Sequence, residues 1–246
     1  MKLSFIIIEY HSFGEIRTSC SSIKNLISSE LDYEIIISSN STYPKEEQEK
    51  ILAESQGEKW VFNARNGGFA YAMNEGLKVA TGDVLIAMNP DVKLKSGLVG
   101  MIDYLLSDAS IGLIAPCIEN VAGVVQDSYR DFITPVRFAK RHLSRLLHRE
   151  KQYETGNILY VDWVIGAFMA MTRKSYKAVG GFDDAYFLYC EDMDLCKRMH
   201  LEGYSVVYYP HALIEYEGTR SARRSWKYAS IFLKSLLRYW GKFGFA

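Results

Sequence analysis

The sequence predicts an α/β fold, a mostly parallel sheet with helices on both faces, and three observations carry that prediction. Strand-like and helix-like segments alternate through the first half of the chain. The stretch from Val84 to Met88 is entirely apolar, as expected for a strand buried on both faces. It then breaks into Asn89-Pro90-Asp91, a turn-forming sequence. Such alternation implies right-handed crossovers between parallel strands.

The elements follow from hydrophobic periodicity and from turn residues at their ends. Strands are predicted at Leu3–Ile8, Glu34–Ile37, Lys59–Phe62 and Val84–Met88. Helices are predicted at Ile16–Ser29, Lys45–Gln56, Phe69–Ala80 and Ser96–Leu106. In the second half, the apolar run Val161–Thr172 predicts one strand with a close approach at Gly166, and a helix begins at Glu191 and ends near Glu202.

Charge is unevenly distributed along the chain, although 29 bases balance 29 acids. The segment Arg137–Lys151 carries six bases and one acid, and residues 218–246 carry seven bases and no acid. Without those two segments, the rest of the chain has 16 bases and 28 acids. The basic segments therefore predict contact with an anionic surface, and no nucleic-acid partner is expected.

Cysteine usage and hydropathy predict a cytoplasmic protein. The four cysteines show neither a CxxC pair nor zinc spacing, which favours small buried residues in a reducing compartment. The apolar run Leu3–Ile8 is too short for a signal-peptide core or a membrane span. The sequence leaves open whether the protein also attaches peripherally to the inner face of the plasma membrane.

The turn after the first strand excludes several classes of nucleotide-binding protein. A dinucleotide-binding fold would place GxGxxG there, whereas this chain has Glu9-Tyr10-His11-Ser12-Phe13-Gly14. A P-loop and the Gly-rich, Arg-containing loop of a sugar-nucleotide pyrophosphorylase are also missing. The sheet should nevertheless bind a ligand at the carboxyl ends of its strands.

Asp91 lies at such an end, where a carboxylate could hold a divalent cation against nucleotide phosphates. The alternative is a simple Asx-type turn. Gly67 and Gly68 come after a strand and before a helix, so free N–H groups at the helix start could dock a phosphate. Asn66 and Asn74 bracket this stretch with amide donors and acceptors; the alternative is an ordinary turn with a glycine start.

Helical spacing separates the acids of the segment that begins at Glu191. Asp192 falls on the apolar face with Leu195, Cys196 and Met199, whereas Asp194 points outward and can pair with Arg198. A buried carboxylate costs free energy unless it is used, and a catalytic base is one such use. The alternative is an acid favoured by the helix dipole, which suits Glu191 and Asp194 better than Asp192.

The ordered series of motifs resembles family 2 glycosyltransferases of the GT-A fold, especially the rhamnosyltransferase-like branch. The matching stretches span most of residues 1–215: FIIIEYHS, NGGFAYAMNEG, GDVLIAMNPDVKL and VIGAFMAMTRKSYKAVGGFDDAYFLYCEDMDLCKRMHLEGYSVVYYPHA. The resemblance implies a GT-A domain at 1–217, with a nucleotide-binding half at 1–95 and an acceptor and catalytic half at 96–217. A basic amphipathic C-terminal helix would occupy 218–246.

The resemblance also implies an inverting transfer of a sugar, with rhamnose one option, from a nucleotide-diphosphate sugar to a saccharide or lipid-linked acceptor. Asp192 of the Glu191-Asp192 pair would be the base, and Asp91 would bind Mg²⁺ or Mn²⁺ at the diphosphate. The other residues expected to bind the nucleotide-sugar are Tyr10, Ser39, Asn40, Asn66, Gly67, Phe69, Asn74, Asn89 and Gly166.

Three positions depart from the family pattern. Ser39 replaces the acid expected after the second strand, His11 replaces asparagine, and Tyr216 replaces a metal-facing histidine. Glu217 is the expected substitute as an oxygen ligand for the metal. The competing hypothesis is therefore a non-catalytic GT-A-like domain that binds a sugar or a partner enzyme.

The C-terminal segment predicts an amphipathic helix with two possible roles. Its apolar residues recur at helical spacing on one side: Trp226, Ala229, Leu233, Leu236, Leu237 and Trp240. Its bases lie on another side: Arg223, Lys227, Lys234 and Arg238. Such a helix could lie in a membrane interface or pack on the domain, and pattern alone does not separate the two. The segment Arg137–Lys151 could lie near a lipid diphosphate or form a solvated helix.

Overall fold

A computed structural model describes residues 1–27, 31–138, 155–218 and 226–245. The strands are β1 Lys2–Glu9, β2 Asp32–Ser39, β3 Lys59–Phe62, β4 Val84–Met88, β5 Lys93–Ser96, β6 Ile111–Glu119, β7 Tyr129–Arg130, β8 Leu159–Tyr160, β9 Trp163–Val164, β10 Phe168–Thr172 and β11 Ser205–Glu215. The helices are α1 Phe13–Leu26, α2 Lys45–Glu54, α3 Phe69–Val79, α4 Leu98–Ser107, α5 Arg173–Ala178, α6 Glu191–Leu201 and α7 Trp226–Phe243.

A nine-stranded mixed sheet organises the described residues, in the order β3-β2-β1-β4-β10-β6-β11-β5, with β8 added beside β11. The strands β3, β2, β1 and β4 run parallel, as the alternation of strands and helices predicts. The strand β10 then runs antiparallel between β4 and β6. Chain order reverses at β1, which has β2 on one side and β4 on the other, so a crevice is expected at the carboxyl ends of β1 and β4.

The elements of the first half match the predictions closely, because each has a clear period and clear turn residues at its ends. The strands Lys59–Phe62 and Val84–Met88 have the predicted bounds, and β1 and β2 extend slightly beyond theirs. The predicted single strand Val161–Thr172 is wrong. It divides into β9 and β10, which belong to different sheets, because the chain breaks at Gly166 to approach Asp192.

Apolar side chains on the two faces of the sheet form two core layers. On one face, α1 and α4 pack over β1, β4 and β5; on the other, α3, α6 and α7 pack over β1, β4, β6 and β10. All four cysteines are buried and free, in agreement with the sequence analysis. Among the described residues, no helix has the length and hydropathy that crossing a membrane requires.

The C-terminal helix α7 packs one side on the domain, the second of the two roles that the sequence left open. Ser235, Leu236 and Tyr239 are buried against the domain, whereas Leu233 and Leu237 are half exposed. The helix is anchored by hydrogen bonds from Ser235 Oγ to Leu188 O at 2.8 Å and from Trp240 Nε1 to Ile133 O at 2.6 Å. Most of the other basic segment, Arg137–Lys151, lies outside the described residues.

Candidate functional site

The carboxyl ends of β1, β2 and β4 bring several predicted site residues to one edge of the sheet. Glu9 ends β1 and lies in register with Ser39, which ends β2, while Asn89 follows β4. The main-chain N–H of Asn89 bonds Ala167 O at 3.0 Å, and this contact joins the edge to the loop that carries Gly166.

Asp91 is half-buried in the turn after β4. The hydroxyl of Ser19 fixes this turn by bonding the carbonyl oxygens of Pro90 at 2.5 Å and Val92 at 2.6 Å. Burial is the main cause that raises the pKa of the Asp91 carboxyl, and the negative charge of Glu15 adds to the effect. A bound cation would offset both penalties.

Asp192 is partly buried in the first turn of α6, two residues after Cys190, which has a left-handed φ of 66°. Its Oδ2 accepts a hydrogen bond from the N–H of Gly166 at 2.9 Å, and its Oδ1 accepts one from the N–H of Met193 at 2.8 Å. Burial raises the pKa of Asp192, while these N–H groups and the charge of Arg130 oppose the rise. A Cβ at position 166 would lie 3.2 Å from the Asp192 Cβ, so glycine allows this close approach.

Glu191, the neighbour of Asp192, is almost completely buried. Its Oε2 has no hydrogen-bond partner within the described part of the chain. Burial, followed by the charge of Asp192, raises the pKa of Glu191 well above its usual range. A carboxyl in these surroundings is favoured in its neutral form.

Tyr216 lies beside the turn that carries Asp91, the predicted metal ligand. Its hydroxyl accepts a hydrogen bond from Asn89 Nδ2 at 3.0 Å. Burial raises the pKa of Tyr216 to about 12, and the charges of Asp91 and Asp192 both contribute to the rise. The Asn89 N–H bonds Ala167 O at 3.0 Å and the adjacent Gly166 N–H bonds Asp192 Oδ2 at 2.9 Å, so the turn after β4 lies near the start of α6.

The glycine loop before α3 differs from the phosphate dock that its sequence suggests. Gly68 has a φ of 89°, and a Cβ there would overlap the carbonyl of Phe187. The N–H of Phe69 bonds Phe187 O at 2.8 Å, and the N–H of Gly68 bonds Asn66 Oδ1 at 3.1 Å. These amides are therefore not free for a phosphate, because the loop before α6 already occupies the start of the helix.

Asn74 holds the turn after α5. Its Nδ2 donates to Phe182 O at 2.8 Å and to Asp184 Oδ1 at 2.5 Å. Its Oδ1 accepts from Tyr176 OH and from the N–H of Phe182, both at 3.0 Å. All four hydrogen-bonding positions of the amide are used within the protein. The predicted role of Asn74 in donor binding would require one of these bonds to break.

The remaining predicted residues near β1 and β2 form a buried polar layer beneath an exposed rim. Ser39 and Asn40 are buried, and Asn40 Nδ2 bonds Gly68 O at 3.0 Å. Tyr10 is 53% exposed at the end of β1. Beside it lies a residue that the sequence analysis missed, Glu9, whose carboxylate is fully buried at this edge. The sequence signal that could have revealed Glu9 is its position as an acid at the end of an apolar strand.

Asp194 is fully buried, so the prediction that it points outward is wrong. The helix α7 covers that side of α6, and Lys242 Nζ lies 2.6 Å from Asp194 Oδ1. The predicted pair with Arg198 is confirmed, with 2.6 Å between Arg198 Nε and Asp194 Oδ2.

A metal ion fits this site only as a cation shared with a bound diphosphate. Among the residues described, no three His, Cys, Asp or Glu side chains form a metal-binding group. Glu217 is exposed, and its Oε2 accepts a hydrogen bond from the N–H of Val121 at 3.3 Å, so its role as a second ligand stays a prediction. Asp91 suits Mg²⁺ or Mn²⁺, which are commonly held by one or two carboxylates together with substrate phosphates.

Comparison with known proteins gives consistent matches. A family model described as "Glycosyltransferase like family 2" matches residues 35–234. An N-acetylglucosaminyl-diphospho-decaprenol L-rhamnosyltransferase of Mycobacterium tuberculosis is 32% identical over 155 residues, which are 58% of this chain and 49% of that protein. Rhamnosyltransferase WbbL of Escherichia coli is 32% identical over 157 residues, which are 60% of this chain and 58% of that protein. The chain thus spans about half the length of these curated relatives.

Solved structures share the architecture at lower identity. GalNAc-T7 with UDP, GalNAc and Mn²⁺ superposes with a TM-score of 0.71 at 16% identity, covering 98% of this chain and 48% of that one. The mannosyltransferase PcManGT of Pyrobaculum calidifontis, in complex with GDP-Man and Mn²⁺, superposes with a TM-score of 0.61 at 17% identity. The match covers 89% of this chain and 57% of that one. The predicted GT-A fold is confirmed by these matches.

Proposed function

Because this chain belongs to glycosyltransferase family 2, we propose that it transfers a sugar with inversion from a nucleotide-diphosphate sugar to a hydroxyl of a saccharide or lipid-linked acceptor. The observation that carries the proposal is a series of hydrogen bonds between the segments that carry Asp91 and Asp192. Asn89, two residues before Asp91, bonds Tyr216 OH and Ala167 O, each at 3.0 Å, and the adjacent Gly166 N–H bonds Asp192 Oδ2 at 2.9 Å. A transferase needs a diphosphate-binding group and a base at one pocket. The names of the two curated relatives favour rhamnose as the sugar, and one of them favours a lipid-diphosphate acceptor.

Asp192 is the general base of the proposed reaction. It takes the proton of the acceptor hydroxyl while that oxygen forms a bond to the anomeric carbon, and the bond from that carbon to the diphosphate breaks with its electron pair leaving on the diphosphate. The Gly166 N–H holds Asp192 Oδ2 in place, and the raised pKa brings the carboxylate closer to the value that suits a base near neutral pH. General-base help is typically about 10²–10⁴-fold.

Glu191 and Tyr216 support this base in the proposed site. A neutral Glu191 beside Asp192 avoids a second buried negative charge. Tyr216 keeps its proton at neutral pH and is fixed by Asn89. The phenol hydrogen of Tyr216 is therefore available to the diphosphate between the two carboxylates.

Asp91 is the proposed ligand of a divalent cation, Mg²⁺ or Mn²⁺. Mn²⁺ is present in the two superposed structures, and the donor chemistry at Asp91 suits either ion. When bound, the cation would neutralise charge on the departing diphosphate. Glu217 is kept as a proposed second oxygen ligand.

Contact of α7 with an anionic membrane is the proposed means of reaching a lipid-linked acceptor. On the outer side of the helix, Trp226, Leu233 and Leu237 form an exposed apolar line, and Trp226 is 93% exposed. One residue further along in each case, the exposed bases Lys227, Lys234 and Arg238 form a parallel line. Each base near an anionic leaflet contributes about 1 kcal/mol, and the apolar line can enter the interface.

Turnover distinguishes an enzyme from a non-catalytic sugar-binding domain. The purified chain is incubated with UDP-, GDP- and dTDP-sugars, with and without Mn²⁺, in the presence of saccharide and lipid-diphosphate acceptors. Release of nucleoside diphosphate that depends on the acceptor supports the proposal. Binding of donors without any turnover across the panel would favour the non-catalytic domain.

A further inference from the structure

Arg130 is a partly exposed cation near the proposed base, and the proposed reaction does not use it. It ends β7, where it pairs in register with Trp163 of β9, and its guanidinium carbon lies 5.1 Å from the centre of the Trp163 ring. Trp163 is buried, so its flat ring fixes the plane of the guanidinium. The Arg130 side chain is 26% exposed, which leaves one part of it open to a ligand.

The segment 163–167 fixes the order of three groups along the site. Its first residue pairs with Arg130, and its fourth donates a main-chain N–H to Asp192 Oδ2 at 2.9 Å. Its last residue accepts a hydrogen bond from the Asn89 N–H at 3.0 Å. The turn that begins at Asn89 is the proposed site of the donor diphosphate. Arg130 and the donor therefore meet this segment at opposite ends, with the base between them.

Two of the three guanidinium nitrogens of Arg130 are engaged by one carboxylate oxygen. Nε lies 2.6 Å from Asp127 Oδ2, and Nη2 bonds the same oxygen. Within the described part of the chain, Nη1 makes no hydrogen bond. Because this ion pair is partly exposed and joins residues three apart, it adds little to stability. The N–H groups of Nη1 can therefore serve a ligand.

Arg130 acts on the base without forming an ion pair with it. Burial raises the pKa of Asp192, and the charge of Arg130 is among the effects that oppose this rise, so the two groups lie within electrostatic reach. Main-chain N–H groups bond both oxygens of Asp192, and no hydrogen bond joins Arg130 to it. A direct ion pair would make the carboxylate a weaker base. The guanidinium therefore suits an anion that binds beside Asp192.

We infer that Arg130 binds the phosphate attached to the acceptor saccharide, and so makes the chain prefer a sugar diphosphate over the corresponding plain glycoside. This inference rests on the proposed function, which places the acceptor hydroxyl at Asp192. The donor occupies one end of the segment 163–167, so the rest of the acceptor extends toward the other end, where Arg130 lies. From residue 163 to residue 166 the main chain spans at most about 11 Å, which one sugar ring and its phosphate can bridge. The planar fork of arginine matches phosphate oxygens.

Initial rates with paired acceptors test this inference on the full chain. In each pair, the same sugar is linked to a geranyl chain either through a diphosphate or directly as a glycoside, and the nucleotide-sugar donor and Mn²⁺ are held constant. We expect kcat/KM to be at least about tenfold higher for the diphosphate, the size expected for hydrogen bonds to a charged group. Equal values within each pair overturn the inference and leave the proposed function standing. No release with any pair overturns both.

Two variants test whether Arg130 is the cause of the preference. Arg130→Gln removes the charge and the fork, so the ratio of kcat/KM for diphosphate to glycoside should fall by about tenfold or more, through a higher KM for the diphosphate. Arg130→Lys keeps a point charge without the fork and should recover part of the ratio. If Arg130 only stabilised β7, Arg130→Gln would lower the use of both acceptors equally, and that result overturns the inference.

The matched control is Arg17→Gln on α1. The guanidinium carbon of Arg17 also lies 5.1 Å from the centre of an aromatic ring, that of Phe13, and its Nη2 also bonds a carboxylate, Glu54 Oε2, at 2.6 Å. The helix α1 packs on the opposite face of the sheet from α6. Arg17→Gln should keep the wild-type ratio, whereas an unchanged ratio in folded Arg130→Gln overturns the inference.

Discussion

Two adjacent carboxylates at the start of α6 have different surroundings. Asp192 receives N–H groups from Gly166 and Met193, whereas Glu191 Oε2 lies buried with no partner among the described residues. A buried acid without donors holds its proton more tightly than it would in the unfolded chain. Glu191 therefore lowers stability wherever the unfolded chain ionises it and the folded protein does not.

Replacing Glu191 with Gln should raise stability at neutral pH. The folded-state pKa of Glu191 is raised, so below the unfolded value of about 4.3 the wild type and the variant should be equally stable. As pH rises from there toward the folded pKa, the wild type should lose about 1.4 kcal/mol per pH unit relative to the variant. Urea unfolding of both proteins from pH 4 to pH 8 measures this difference, and a variant less stable at pH 7 would refute the account.

The surroundings of some residues could be expected from local sequence patterns, whereas those of others depend on distant contacts. The roles of Asp91 and Asp192 stay predictions drawn from local signals, a break after a buried strand and an acid spaced with apolar residues on a helix. The expected burial was assigned to the wrong acid, because Asp192 is only partly buried whereas Glu191 and Asp194 are buried. Asp194 was misplaced because its burial comes from Lys242, 48 residues away. The internal bonds of Asn74 could not be predicted for a similar reason, since its partners lie beyond residue 175.

At the scale of elements, α7 connects the exposed surface of the molecule to α6, the helix that carries Asp192. Lys242 contacts Asp194 at 2.6 Å and Asp183 at 2.8 Å, and Ser235 holds the backbone of Leu188 in the loop before α6. The helix α7 therefore holds the loop that precedes α6, the helix on which Asp192 lies, and its outer side carries the residues of the proposed membrane contact.

Removing the outer apolar line of α7 should weaken binding to anionic vesicles. The triple variant Trp226→Ser, Leu233→Ser and Leu237→Ser changes exposed or half-exposed side chains, so its unfolding temperature should stay close to that of the wild type. Flotation with vesicles containing phosphatidylserine should show at least a tenfold lower bound fraction.

The matched control carries Leu52→Ser and Val99→Ser, two other exposed apolar residues in α2 and α4. It should float like the wild type. If the wild type itself stays in the soluble fraction, the proposed membrane contact is wrong.

Element prediction succeeded where the chain was locally periodic and failed where pairing is distant. The parallel half of the sheet could be predicted from alternating strands and helices. The antiparallel insertion of β10 between β4 and β6 could not, because its register depends on residues about 80 positions away. Sequence also could not tell which part of the apolar side of α7 would be buried, since that depends on the shape of the underlying domain.

At the scale of the whole molecule, the expected crevice lies where chain order reverses at β1. Hydrogen bonds of Asn89 with Tyr216 and Ala167 bring the end of β11 and the Gly166 loop to the same edge. The second half supplies Asp192 and Tyr216, and the first half supplies Asp91 and Glu9. A nucleotide-binding half and a catalytic half thus contribute to one proposed pocket.

The most direct test compares Asp91→Asn and Asp192→Asn in two assays, nucleoside diphosphate binding with Mn²⁺ and acceptor-dependent diphosphate release. Both variants should lose release by about 10²-fold or more. Asp91→Asn should also lose affinity for the nucleotide, whereas Asp192→Asn should bind it like the wild type. Release at the wild-type rate by Asp192→Asn, or unchanged nucleotide affinity in Asp91→Asn, would contradict the account that these two carboxylates serve one pocket.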